Sequence, residues 1–143
     1  VAGNAGLFST GPDLYKFIKM MLNEGVYLKE QEVSSQEKFD TLFKEPTVEL
    51  FTTKATDLGY FNTRALGWET KPEPTKYRPQ CGDKFSNNCF GHTGYTGTSV
   101  WCDKDKNLII ILLTNRVYPK RGNEEIKNIR PKIHDEVCRI MGY

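Results

Sequence analysis

Six consecutive large aliphatic residues, Leu108-Ile109-Ile110-Ile111-Leu112-Leu113, constrain this chain more than any other stretch. A strand with one wet face alternates apolar and polar residues, so an unbroken run reads as a strand covered on both faces. Helices must then pack over it. The polar stretch Asp103-Lys104-Asp105-Lys106-Asn107 comes just before the run. That order predicts a hairpin of strands 99–103 and 108–114, with the charges of its turn in water.

A further strand is read in Phe90-Gly91-His92-Thr93-Gly94-Tyr95-Thr96-Gly97-Thr98-Ser99-Val100-Trp101. Gly91, Gly94 and Gly97 recur at every third position among β-branched and aromatic neighbours, which suits a strand that another backbone or a ligand approaches closely. His92 and Thr93 set an imidazole and a hydroxyl beside backbone N–H groups, the parts of an anion or oxyanion site. A glycine-rich edge strand with a structurally bonded histidine uses the same residues.

Helices are signalled on both sides of these strands. Thr10 with Asp13 predicts a capped start, Leu14, Phe17, Ile18, Met21 and Leu22 an apolar face, and Gly25 a stop. Ser34 or Ser35 can cap a second helix, with Ser34 and Glu37 as a capping box and Phe39, Leu42 and Phe43 on its apolar side. Pro46 ends that periodicity, and residues 47–63 read as a loop. A short strand is expected at 65–69, then a proline-rich surface excursion at 71–79. Pro131 suits a first helical turn, and Ile133, Val137, Ile140 and Met141 make a stripe before Gly142. Asn115, Arg116 and residues 118–123 form the crossover. The expected fold is α+β: one unit, 1–143, with an antiparallel sheet of about three strands flanked by helices.

Composition excludes little but narrows the partners. A formal charge of +2 gives no electrostatic reason to expect nucleic acid or an anionic membrane. No apolar run has membrane-spanning length. Cys81, Cys89, Cys102 and Cys138 contain no Cys-x-x-Cys pair, which argues against zinc, and no cofactor is expected. Cys81 and Cys89 bracket a polar turn that a disulfide can close in an oxidising compartment, whereas Cys102 and Cys138 read as buried thiols. His134, beside Asp135, reads as structural.

Taken together, residues 90–116 resemble the third active-site strand of the serine beta-lactamase and penicillin-binding protein superfamily, closest to its class C-like hydrolases and esterases. That branch carries Lys-Thr-Gly or His-Thr-Gly on an edge strand, and here the triplet is His92-Thr93-Gly94. Val1-Ala2-Gly3-Asn4-Ala5-Gly6-Leu7-Phe8-Ser9-Thr10 is similar to the family's glycine-rich approach to a helix. Arg64-Ala65-Leu66-Gly67-Trp68-Glu69, Leu112-Leu113-Thr114-Asn115-Arg116 and Arg130-Pro131-Lys132-Ile133-His134-Asp135 are similar to later segments in family order. The resemblance implies helices on a mostly antiparallel sheet and acyl transfer through a serine ester. It also implies a periplasmic or extracellular setting and a small acyl ester or peptide as substrate.

The family's Ser-x-x-Lys and Tyr-x-Asn motifs normally precede the segment with which this chain begins, so it resembles the C-terminal portion of a larger domain. Ser35-Gln36-Glu37-Lys38 and Tyr60-Phe61-Asn62 match the two patterns but fall after that segment, and are read as coincidences. Lys38 sits among Gln36, Glu37 and Asp40, which keep it charged rather than basic. The resemblance gives His92 a part in a proton network or in holding a substrate carboxylate, and Thr93 a hydrogen bond to substrate. The N–H of Tyr95, after Gly94, becomes one of two oxyanion donors, with Thr96, Asn115 and Arg116 near substrate. An unperturbed histidine, with a pKa near ~6.5, is mostly neutral at pH 7 and anchors an anion less firmly than lysine. This favours esterase or peptidase chemistry over efficient beta-lactam hydrolysis.

Three function classes stay open at this level: a hydrolase portion inactive alone, an interaction module that keeps the fold without chemistry, and a compact enzyme using Ser35, Lys38, Tyr60 and His92. The first expects the N-terminal portion of the domain as partner. It also expects an exposed sheet edge prone to dimerisation, strand exchange or poor solubility.

Overall fold

The computed structural model describes residues 6–29, 38–55, 63–73 and 78–143. Ser34, Ser35, Tyr60 and Asn62, from the matches to the two family motifs, lie outside them, as do residues 1–5. The first helix, α1 (Gly11–Leu22), forms where its signals place it. The Thr10 side chain accepts from the Asp13 N–H at 3.3 Å, and Pro12 occupies the first turn. Ile18, Met20 and Met21 are buried, so Met20 joins the expected face, while Phe17 lies at its exposed rim. Gly25 has φ +93°, and a Cβ there would come within 2.0 Å of the Phe43 carbonyl oxygen, so the chain can leave the helix only through glycine.

The next elements differ from expectation. Phe39 is not on a helix but in β2 (Phe39–Thr41), which pairs antiparallel with β1 (Val26–Leu28), Leu28 opposite Phe39. A short apolar run fits either period, and pairing with a strand remote in sequence decides it. Pro46 begins a helix rather than ending one. Its ring pre-sets φ and its missing N–H is free of cost in the first turn of α2 (Glu45–Thr52). That helix buries Val48 and Thr52.

The main sheet has four strands in the order β3-β4-β5-β6, all antiparallel: β3 (Glu69–Thr70), β4 (Cys89–Thr93), β5 (Ser99–Asp103) and β6 (Leu108–Leu112). It has four strands where about three were expected, and the short first one holds only the end of the segment read as a strand at 65–69, the rest of which is mostly a turn. Ala65 N–H donates to the Trp68 carbonyl at 3.0 Å, Gly67 has φ +85°, and Arg64 bridges Glu69. Among the described residues the outer edge of β6 pairs with no strand. Only Gly91 of the three spaced glycines lies in a strand; Gly94 and Gly97 shape the turn into β5. A Cβ on Gly91 would lie 2.4 Å from the Trp101 ring, so glycine lets that indole lie across β4.

Alternation along the strands gives the sheet two apolar faces. One joins Cys89, Trp101, Leu108 and Ile110 to Cys81, Phe85 and Cys138; the other joins Phe90 and Cys102 to Ile18, Met20, Met21 and Val48. Helix α3 (Ile126–Ile140) supplies Cys138 to the first, and α1 and α2 cover the second. The apolar run is thus covered on both sides over Leu108, Ile109 and Ile110, while Leu113 at its end is exposed. Helix α3 starts a turn earlier than expected, so Pro131 is interior. Its inward residues are Arg130, Pro131, His134 and Cys138, whereas Ile140 and Met141 are exposed. A proline at 131 leaves the Lys127 carbonyl without its helical donor, and the Gln80 amide takes that place at 3.1 Å.

The hairpin turn also departs from the expectation that its charges lie in water. Asp103 is fully buried. Its carboxylate accepts from the Ser86 N–H at 2.7 Å, the Ser86 hydroxyl at 2.8 Å, and the N–H groups of Asp105 and Lys106 at 3.1 and 3.2 Å. All four cysteines are buried free thiols. Cys81 is hydrogen-bonded to Cys89, which with burial pushes its thiol pKa up.

Candidate active site

Strand β3 covers only part of β4: Thr70 faces Phe90 and Glu69 faces Gly91. His92 and Thr93 therefore project beyond it at the end of β4, where a tight turn begins. Gly94 N–H donates to the Thr98 carbonyl at 2.7 Å, and Gly97 N–H closes the turn on the Gly94 carbonyl at 3.0 Å. Between them, the Tyr95 N–H has no partner among the described residues, and its ring is exposed. A donor left open on a constrained turn can serve an incoming oxyanion.

His92 and Thr93 point to different surroundings, as neighbours on a strand must. The imidazole is exposed and lies against Arg64, with Nη1 3.4 Å from Nε2. Its Nδ1 is 2.9 Å from the Thr93 carbonyl. A guanidinium can only donate and a carbonyl can only accept, so the consistent form is neutral imidazole with its proton on Nδ1. The Nε2 lone pair then faces the Arg64 guanidinium.

Thr93, Gly94 and Tyr95 form one wall of a cavity of about 410 Å³. Arg116, Lys127 and Arg130 stand on its other walls with Glu124. Arg116 stacks 4.7 Å from the centre of the Tyr95 ring, and its Nε donates to the Tyr95 carbonyl at 2.7 Å. Its Nη1 donates to the carbonyls of Arg121 and Asn123 and to Glu124 Oε1. Arg130 reaches from α3 to the Gly97 carbonyl at 2.9 Å and to Gln80 Oε1 at 2.5 Å. Burial lowers its pKa, with Glu69 opposing, yet a guanidinium stays charged. Helix α3 is thereby fastened to the turn that carries Tyr95.

Of the residues singled out from sequence, the cavity gathers Thr93, Gly94, Tyr95 and Arg116. His92 faces Arg64 on the exposed side. Thr96 is exposed and fixes Arg116 through its carbonyl at 2.7 Å, and Asn115 accepts from the Val117 N–H at 3.2 Å, a turn role. Arg64, Gln80, Glu124, Lys127 and Arg130 were not foreseen. Arg130 had one visible signal, since Arg130, His134 and Cys138 repeat every fourth residue along one helical face.

The comparisons with known proteins agree with this architecture. The Beta-lactamase family model matches residues 1–132. An N-acetylmuramyl-L-alanine amidase of Bacillus subtilis is 38% identical over 131 residues, covering 90% of this chain and 26% of that protein. A putative D-alanyl-D-alanine carboxypeptidase of Escherichia coli K12 is 34% identical over 116 residues, 81% of this chain and 24% of that protein. The chain thus spans about a quarter of the length of these relatives. A crystal structure of a beta-lactamase from Mycobacterium bovis superposes with a TM-score of 0.62 at 22% identity, over 94% of this chain and 45% of that one. A family model matched along almost the whole sequence, on a fold of that kind, makes this chain a member of the serine beta-lactamase and penicillin-binding protein superfamily, a family of serine hydrolases.

Proposed function

We propose that the chain is the C-terminal portion of a serine acyl hydrolase, supplying the third active-site strand and one oxyanion donor while the nucleophile comes from an N-terminal portion. The observation that carries this reading is the uncovered end of β4, which sets Thr93 beside the open Tyr95 N–H and carries His92 on its other side. The acyl oxygen would take the Tyr95 N–H and Thr93 would bond the substrate, while His92, against Arg64, would take part in the proton network. The reaction is attack of a serine hydroxyl on an ester or amide carbonyl, loss of the alcohol or amine, and hydrolysis of the acyl-enzyme by water. Amidase and carboxypeptidase relatives support a small acyl ester or peptide as substrate.

Alone, such a chain would be a poor catalyst, because removal of one oxyanion donor typically costs roughly 2.7–4 kcal/mol of transition-state stabilisation. Leu7 is 97% and Phe8 98% exposed, which suits surfaces that the N-terminal portion would cover and disfavours a self-sufficient interaction module. Incubation with a fluorophosphonate serine probe followed by intact-mass spectrometry tests the reading. The expected result is no adduct and no ester turnover; an adduct that disappears in Ser35→Ala would make the chain a complete, rearranged hydrolase instead.

A further inference from the structure

One apolar face of the sheet holds two thiols against each other. Cys81 and Cys89 are both buried in the cluster that contains Phe85 and Trp101, and their thiols are hydrogen-bonded to one another. The turn between them is fastened by contacts that do not involve sulfur. Lys71 Nζ donates to the carbonyls of Asp83 at 2.8 Å and Phe85 at 2.5 Å, the Lys84 N–H donates to Asp135 Oδ1 at 2.9 Å, and Ser86 is tied to Asp103. At its start the Gly82 N–H closes on the Pro79 carbonyl at 3.0 Å, and at its end Cys89 pairs with Asp103 of β5. The fold itself therefore sets the two cysteines side by side, as a disulfide requires. The other two cysteines are placed differently. Cys102 belongs to the opposite face of the sheet, and Cys138, although in the same cluster, stands on α3.

We propose that Cys81 and Cys89 are a disulfide-forming pair whose redox state is decided during folding: the bridge closes while the segment is still open to a disulfide oxidant, and burial then fixes whichever state was reached. In the exchange, the thiolate of one cysteine attacks a sulfur of a small or protein disulfide and expels one thiolate. The thiolate of the second cysteine then attacks the protein sulfur of that mixed disulfide and expels the other. Two protein thiols and one external disulfide become one protein bridge and two external thiols, so electrons and protons balance. In the folded chain both sulfurs are buried, and the hydrogen bond to Cys89 together with burial pushes the Cys81 thiol pKa up, which removes the attacking thiolate. Exchange is therefore slow once the core has formed. The bridge would join β4, which ends in His92 and Thr93, to the segment whose Cys81 carbonyl receives His134 of α3. None of this depends on the hydrolase reading.

The test starts from the chain unfolded in urea with a reductant. One portion is refolded in a buffer of oxidised and reduced glutathione; another is refolded in reductant and only then moved into that buffer. Both are denatured in excess iodoacetamide and read by intact mass and peptide mapping. The first portion is expected to carry two alkyl groups and a bridge mapped to Cys81 and Cys89, and the second, after the same time, at least roughly tenfold less of it. The bridged form should melt roughly 5–10 °C higher, because closing the loop restricts the unfolded chain. Cys89→Ala should remove the bridge and the dependence of melting on glutathione. Four alkyl groups in the first portion, a bridge mapped to Cys102 or Cys138, equal bridging in the two portions, or a bridged form that melts no higher overturns the proposal.

Discussion

His134 is wholly buried on α3, with Nδ1–H donating to the Cys81 carbonyl at 3.2 Å and Nε2 without a partner among the described residues. Burial pushes its pKa from 6.5 down to about 4, against a smaller upward pull from that carbonyl and with Arg130 adding to the fall. The unfolded chain therefore takes up this proton at a higher pH than the folded one. The stability held by neutral His134 is complete above about pH 6.5 and falls as the pH drops toward about 4, where the loss reaches roughly 3 kcal/mol. Urea unfolding at pH 7.5 and 4.5 should show this loss in the wild type and a flatter profile in His134→Asn; equal wild-type midpoints would contradict it. Gly91 offers a second residue-level test. An alanine there would meet the Trp101 ring and the Val100 carbonyl oxygen, each 2.4 Å away. Since the carbonyl belongs to the paired strand and cannot yield cheaply, Gly91→Ala should cost about 1–3 kcal/mol and alter Trp101 fluorescence.

At the level of elements, what could be read in the sequence follows from how local its causes are. Helix α1 was legible because its cap, its apolar spacing and its glycine exit all lie within one short segment, and the β5–β6 hairpin because its two strands adjoin. Phe39 was misread because its strand exists only by pairing with β1, and Pro46 because proline both opens and closes helices. His134 is buried against the Cys81 carbonyl, in keeping with a structural reading, whereas Arg64 and Arg130 act through partners from distant segments that no spacing announces. The Asp103 turn belongs to the same class. Its aspartate looks like one charge among several in a polar loop, yet it ties Ser86 to the hairpin through two hydrogen bonds and closes its own turn through two more. Asp103→Ala would leave these donors facing a void, and hydrogen bonds to a charged group contribute about 1.5–3 kcal/mol each. Its cost should be roughly 3 kcal/mol or more, visible as a lowered denaturation midpoint; Asp105→Ala, at an exposed position of the same turn, should stay within about 0.5 kcal/mol.

The whole molecule buries a two-sided core and still shows apolar surface in particular places. Leu7 and Phe8 stand almost free, Leu50 and Leu113 are more than half exposed, and the outer edge of β6 pairs with no strand among the described residues. A regular strand with open N–H and C=O groups is a template for another strand, and natural sheets blunt such edges with charge or proline. The run Leu108–Leu112 has neither. In the proposed hydrolase this edge and the neighbouring apolar side chains meet the N-terminal portion; without it they are expected to meet a second copy. Sedimentation over a rising concentration series should therefore show a shift from monomer toward dimer. Leu113→Lys, which sets a charge just past the end of β6 at an exposed position, should move that transition to higher concentration without lowering the melting temperature. A chain that stays monomeric throughout would mean that the edge is already protected, and would favour a self-contained module over part of a divided domain.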